Sequence, residues 1–204
     1  IYNFLDYFLI FKKNELRILT YHHISYDKIN LFNKQLFYIK KNWKFISPKQ
    51  FEDHINGKHK LKGRNVLLTF DDGFNSNFLI ANNILKKLSI KSIFFVPSDF
   101  IKLDSVKKSR SFIKKNILDQ EIPKNFDGIK NMSIKDLKRL VHNGHTIGAH
   151  TKSHANLAKI KSTKKLTDEI INSSKDLEKM LNIKIKHFAF TYGNYKSMSK
   201  KSIN

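Results

Sequence analysis

Short apolar runs of strand length alternate along the chain with apolar positions spaced three and four residues apart. Arg17-Ile18-Leu19-Thr20-Tyr21 reads as a strand, and Phe32, Leu36, Ile39 and Trp43 follow at helical spacing. Asn65 to Phe70 is a nearly continuous apolar run, the pattern of a parallel strand buried on both faces. Phe74, Phe78, Ala81, Leu85 and Leu88 then form a helical stripe, and Lys91 to Val96 predicts a further buried strand stopped by Pro97. Ser133 is placed to cap a helix, with Asp136 in the capping-box position and Gly144 just past the end. His145 to Ala149 is a short strand. Leu166, Ile170, Leu177 and Leu181 mark a long helix with Ser173 as a polar gap in its seam, and Lys186 to Phe190 predicts a last strand.

Strands alternating with helices give parallel βαβ units, so the fold class is α/β. Five predicted strands can form an open doubly wound sheet or a distorted or incomplete (β/α) barrel. Residues 98–131 show little periodicity and many lysines, and read as a long basic loop excursion with a short helix near Ser111 to Leu118. The 204 residues are enough for one domain, 1–204, with a substantial core.

Composition narrows this further. No apolar run reaches the length of a membrane-spanning helix. Tyr2 to Phe11 is apolar but broken by Asp6, and lacks the basic start and small-residue cleavage site of a signal peptide. A cytoplasmic and an envelope-associated location are both compatible, as is peripheral contact with a membrane. The absence of cysteine excludes disulfides, thiolate metal sites and cysteine nucleophiles. Lys plus Arg number 39 against 17 Asp plus Glu, a net charge of +22. The lysines are spread along the chain and accompany abundant Ile, Asn and Phe, which favours coding bias over a charged partner. No predicted helix concentrates Lys and Arg with interleaved aromatics, so no nucleic-acid partner is expected.

Candidate chemistry gathers after the strands. Asp71 and Asp72 follow the most apolar one, and Gly73 lets the backbone turn. Adjacent residues leaving a strand point differently, so one carboxylate can bind a metal while the other faces a water. The triplet also reads as a turn and helix N-cap. His150 and His154, four apart after strand 145–149, would share one side of a helical turn, as in other two-histidine metal sites. Thr151 between them is placed to hydrogen-bond and fix a ring. Two histidines and one carboxylate leave open positions on a divalent ion, the pattern of a hydrolytic site. His22-His23 and Tyr192-Gly193 also follow predicted strands, and polar clusters at strand C-terminal ends are the layout of an α/β active site.

Thr69-Phe70-Asp71-Asp72-Gly73 followed by His150-Thr151-Lys152-Ser153-His154 resembles the first two motifs of the polysaccharide deacetylase (NodB-homology) family, carbohydrate esterase family 4. Phe188 to Gly193 is similar to the third motif through Tyr192 and Gly193, but Ala189 stands where many members have Arg and Thr191 where they have Pro. The resemblance covers about residues 16–195. The family's later Asp-Trp and Leu-x-His motifs do not follow, so the chain is expected either to be truncated or to draw its acid from elsewhere. Leu19-Thr20-Tyr21-His22-His23-Ile24 is similar to the N-terminal Tyr-His strand of the poly-N-acetylglucosamine deacetylase branch.

The resemblance implies a NodB-type fold and a division of labour. Asp72, His150 and His154 would hold a divalent metal, Zn²⁺ first, with Co²⁺, Ni²⁺ or Fe²⁺ also suited to the ligands. Asp71 would be the general base, the Tyr192 backbone N–H an oxyanion donor and His22 the general acid. The implied substrate is an N-acetylated surface glycan. A deacylase or deformylase of a nucleotide- or lipid-linked sugar is the alternative, and Ala189 and Thr191 keep open a catalytically impaired glycan-binding domain.

Overall fold

Strand β3 (Gly63–Phe70) organises the sheet, and its last six residues are all buried. The structure is a computed structural model that describes residues 14–118, 120–123 and 129–203; the apolar segment 2–11 lies outside them. Strand β1 (Asn14–Tyr21) runs parallel to β3 along its whole length. The two-residue β2 (Lys44–Phe45) pairs with the start of β3 at Asn65 and Val66, and β4 (Ser92–Val96) with its end at Leu68 to Phe70. Strand β5 (Thr146–Ala149) completes the row against β4, giving the order β1-β3-β4-β5 with every pairing parallel. Among the described residues the sheet stays open, an α/β arrangement of the incomplete-barrel kind. β2 carries too few residues to show a period in sequence.

The predicted last strand is a correction. Around Lys186 to Phe190 a single parallel bridge forms, Phe188 to Ala149, with Ala149 N donating to His187 O and Ala189 N to Ala149 O, both at 2.9 Å. The ladder stops there because the Ala189 carbonyl accepts from a histidine ring instead of a further strand (2.9 Å).

Helices cover the sheet largely where their stripes predict. Helix α1 (Ile29–Asn42) buries Phe32 and Leu36. The short α2 (Pro48–Ile55) follows a capping box built by Ser47 and Gln50. Helix α3 (75–88) takes π pitch over Ala81–Leu85. Two short helices, α4 (Ser98–Ile101) and α5 (Val106–Phe112), come next, with α5 continuing as a π turn over Ile113–Leu118. Helix α6 (Ile134–His142) carries the expected Ser133–Asp136 capping box. Helix α7 (163–181) closes the core, and α8 (Lys200–Ile203) ends the described chain. One face of the sheet offers Leu68, Phe70, Phe94, Val96, Ile147 and Ala149 to α1, α3, α6 and α7. The other offers Leu67 and Ile93 to Ile46 and Leu61, a smaller cluster. The Phe70 and Phe94 rings stack at 5.0 Å between centroids. Gly148 lets β5 pass beneath Phe95, whose ring a Cβ there would meet at 2.5 Å.

The described parts of the excursion 98–131 hold more regular structure than their sequence suggests. Phe100, Ile113 and Ile129 pack around Phe74 as a third apolar cluster. Segment 130–132 is tied to the turn after β3, with Asn75 N donating to Lys130 O and Met132 N to Gly73 O (both 2.8 Å). Lysine-rich solvent faces hid the short apolar stripe.

At the start of β5, His145 is buried and accepts from Ser92 N through Nδ1 (3.2 Å). Burial, with Lys91 adding to it, pushes its pKa down to about 4. The unfolded chain therefore takes up a proton near the usual value of about 6.5 that the folded chain refuses. Stability from this group is complete above that value and lost as pH falls towards 4, by up to about 3 kcal/mol. Urea unfolding of wild type and His145→Asn at pH 7.5 and 4.5 checks this; the variant is expected to lose clearly less stability on acidification.

Candidate metal centre

The centre lies at the C-terminal ends of the parallel strands. Asp71 is the last residue in the ladder, its N–H donating to Tyr21 O (2.9 Å). The backbone then turns through two left-handed residues, Asp72 (φ 70°) and Gly73 (φ 77°). A Cβ at Gly73 would meet both Val96 and Ile101 at 3.2 Å, so the turn requires glycine twice over. Asn77 holds the turn from below, donating to Asp71 O (3.2 Å). Neither aspartate caps α3: Phe74 occupies the N-cap position and no side chain bonds there. The carboxylates are thereby left to the cavity.

His150 and His154 meet Asp72 as expected, but not through a helical turn. Segment 150–154 is a loop in which Thr151 (φ 59°) and His154 (φ 60°) are left-handed. That conformation, not helical pitch, brings the rings to 5.2 Å between centroids. Asp72 Oδ1 lies 3.5 Å from His150 Nε2 and 3.2 Å from His154 Nε2, and all three residues are buried. Each ring's other nitrogen is engaged: His150 Nδ1 donates to Ala189 O (2.9 Å) and His154 Nδ1 to Asn116 O (2.8 Å). This sets both tautomers and aims two Nε2 lone pairs at a carboxylate oxygen.

Such a set fits a cation. Lone pairs facing an anionic oxygen repel unless a proton or metal lies between them. Burial would raise the Asp72 carboxyl, but the two imidazoles outweigh it and hold it well below the usual range. Burial would lower His150, but Asp72 and Asp71 outweigh it and push it up. Both shifts record a demand for positive charge at one point. Asp72 Oδ1 also lacks any hydrogen-bond partner among the described residues. The three ligand atoms lie within 4.8 Å of one another, a spacing one divalent ion can bridge.

The loop is clamped by Glu169, which the sequence did not single out, and by Ser173, Thr151 and Thr191, which it did without showing these contacts. Glu169 on α7 accepts from Lys152 N and Ser153 N (both 2.9 Å) and from Ser153 Oγ (2.6 Å). Ser173, the polar gap in the helix seam, is buried and donates to Thr151 O (2.7 Å). Thr151 itself accepts from Ala155 N (3.1 Å), so it braces the loop and not a ring. Thr191, in the place of the family's proline, is buried and donates to Ala155 O (2.6 Å), tying the third motif to the second. Four of the six left-handed non-glycine residues among those described, Asp72, Thr151, His154 and Tyr192, belong to this centre. Each costs roughly 1–2 kcal/mol and persists because its surroundings impose it. Glu169→Ala is expected to weaken Zn²⁺ binding about 10- to 100-fold by freeing the loop. Competition titration with a metal indicator measures this.

A cavity of about 520 Å³ opens in front of the cluster, walled by Thr20, His22, His23, Asp71, Asp72, Phe74, Ile117, Leu118, His150, His154, Phe190, Tyr192 and Gly193. Burial raises the Asp71 carboxyl despite the nearby His150 and His22, and its Oδ1 is buried with no partner among the described residues. The paired histidines after β1 differ in setting. His22 is exposed on the cavity wall. His23 is anchored, its Nδ1 2.9 Å from Ser76 Oγ and its ring edge-on to Phe74. The Tyr192 ring packs 5.0 Å from His154, and its hydroxyl lies 3.4 Å from both Asn116 O and His154 O, which share its one proton as acceptors. Asn116, Ile117 and Leu118 come from the excursion, which thus forms part of the site.

A parallel α/β sheet with a buried Asp-His-His cluster at its strand ends is the frame of a candidate metal centre. Residues 58–204 match the family model described as polysaccharide deacetylase, and the chain belongs to that family. It is 22% identical over 197 residues to YxkH of Bacillus subtilis (strain 168), a protein assigned as a polysaccharide deacetylase; the match covers 94% of this chain but 61% of that relative's length. Among solved structures it is similar to the Streptococcus pyogenes deacetylase PplD in complex with acetate (TM-score 0.70, 22% identity, 92% of this chain and 77% of that one). It is also similar to IcaB from Ammonifex degensii (TM-score 0.69, 23% identity, 93% and 78%). These likenesses establish the NodB-type fold.

Proposed function

We propose that this protein is a metal-dependent hydrolase that removes N-acetyl groups from N-acetylhexosamine units of a glycan. The observation that carries the reading is the pair of imidazole Nε2 atoms held against Asp72 Oδ1, with both Nδ1 positions already committed to backbone carbonyls. Family membership supports the acyl-sugar substrate class.

Asp72, His150 and His154 are the residues that would hold the ion. A divalent cation there supplies a Lewis acid for the acetamide carbonyl and acidifies a water. Asp71 takes the proton of the attacking water; its raised carboxyl and unpartnered Oδ1 suit a base facing the cavity. The Tyr192 N–H is the proposed donor to the developing oxyanion. Water oxygen bonds to the acyl carbon, the C–N bond breaks, and His22 on the exposed wall delivers a proton to the departing amine nitrogen. The products are acetate and a free amino sugar.

Acetate release from N-acetylglucosamine oligomers, before and after chelation and after Zn²⁺ is restored, tests the reading. Release that chelation leaves untouched would sink it. His22→Ala is expected to lower kcat about 10²- to 10⁴-fold while metal content stays constant; full activity would move the acid elsewhere. Comparing oligomers with nucleotide- and lipid-linked single sugars separates the polymer reading from the small-substrate one. Ala189 stands where the family commonly has Arg, so no guanidinium from that position tunes the proposed base, and this favours a slow enzyme over a fast one.

A further inference from the structure

The opposite end of the sheet carries a second concavity, of about 550 Å³, that takes no part in this chemistry. Trp43 lies in its wall with Lys40, Lys41, Lys44, Lys62 and Arg64. The four lysines are exposed and make no ion pair among the described residues. Two guanidinium groups sit over the Trp43 ring, Arg17 at 4.8 Å and Arg64 at 4.4 Å. Glu15 bonds Arg17 (2.6 Å) and approaches Arg64 at 4.0 Å, so it offsets part of the charge without lining the groove. Lys40 and Lys41 at the end of α1 would be expected there for the helix dipole alone. Lys44, Lys62 and Arg64 come from other segments, so the dipole does not account for the patch.

Apolar side chains stand beside the charge. Phe37 and Tyr38 on α1 are 50% and 70% exposed. They lie one turn before Lys41 and Asn42, on the same side of the helix. Exposed aromatic rings flanked by lysines are the composition of a surface seated at the headgroup level of a bilayer.

We infer that this end of the molecule is a docking surface for an anionic lipid bilayer, with Trp43 and its ring of basic groups facing the headgroups. β3 runs from the groove at Gly63 to the catalytic end at Phe70, roughly 25 Å at strand rise. Docking therefore turns the Asp72-His150-His154 cluster away from the lipid. Neither the surface nor its test depends on the deacetylase reading.

Trp43 is the chain's one tryptophan and reports directly. The protein is titrated with vesicles of phosphatidylcholine, alone or mixed with phosphatidylglycerol, and followed by Trp emission and co-sedimentation. Blue-shifted emission and retention on the anionic vesicles are expected. Affinity should fall at least tenfold from 0.1 M to 1 M salt, as the screening length contracts from about 10 Å to about 3 Å. The triple variant Lys40→Glu, Lys41→Glu, Lys44→Glu, with thermal melting unchanged, is expected to lose at least tenfold in affinity. Quenching of Trp43 by brominated anionic lipid checks the contact in the unaltered protein. Equal binding to neutral vesicles, wild-type binding by the folded variant, or no quenching overturns the inference. Emission that responds to soluble polyphosphate but not to vesicles assigns the groove to a polyanion and overturns it as well.

Discussion

Asp72→Ala is expected to abolish stoichiometric metal uptake and to reduce acetate release at least about a thousandfold, some 4 kcal/mol of transition-state stabilisation. Asp72 supplies the only carboxylate among the three proposed ligands, and its Oδ1 is the atom at which both imidazoles converge. Without it, two neutral nitrogens face an apolar alanine and no anionic oxygen balances the cation. Melting curves separate this from simple unfolding. In wild type, metal at a hundred times its dissociation constant should add about 2.7 kcal/mol of stability. In Asp72→Ala that increment should vanish. The metal-free variant should be somewhat less stable than metal-free wild type, because it loses the attraction by which the two imidazoles hold the Asp72 carboxyl low and places alanine at a left-handed position, so the increment added by metal, not the absolute melting point, is the readout. Elemental analysis, melting with and without Zn²⁺, and acetate release from one preparation decide the matter; equal metal content in variant and wild type removes Asp72 from the ligand set.

Asp71→Asn is expected to do the reverse to binding and the same to turnover. The side chain keeps its shape, and the bonds through the Asp71 backbone, to Tyr21 O and from Asn77, are untouched. Metal-linked stabilisation should therefore persist. An amide cannot take a proton from water, so acetate release should fall about a thousandfold or more, within the range general bases supply when their removal is near complete. The pair forms a diagnostic contrast: neighbouring aspartates, one whose loss empties the site and one whose loss leaves it filled and idle. Full turnover by Asp71→Asn would rule it out as the base.

The contrast rests on how differently the fold treats two adjacent residues. Asp71 ends a parallel ladder, whereas Asp72 already lies in the left-handed turn that Gly73 completes. The histidine loop uses the same device at Thr151 and His154, and Glu169 and Ser173 hold that loop from α7. Strained backbone braced from a neighbouring helix keeps ligands preorganised, so less ordering is required when a cation binds.

What was legible in the sequence was what has a local period or a side-chain signature. Alternating apolar runs gave β1, β3, β4 and β5, helical stripes gave α1, α3 and α7, and Ser133 with Asp136 announced α6. Asp72, His150 and His154 could be picked out because metal ligands must be particular residue types, and the fold brought them together. The carbonyls that orient the two imidazoles could not be read, because any residue carries one. They belong to Ala189 and Asn116, 39 and 38 positions from their partners. The clamp by Glu169 was equally hidden, since an acid in a lysine-rich helix looks like an exposed ion-pair partner until the loop packs on it. The stretch 186–190 has a strand's composition, yet the tertiary structure diverts the Ala189 carbonyl to a ring. Lysines scattered along the sequence likewise become a groove only when α1, β2 and β3 bring their ends together around Trp43. Local hydrophobic order determined the elements and residue type named the candidate ligands; long-range hydrogen bonds and charge proximity, which depend on how those elements pack, decided the geometry that brings them together.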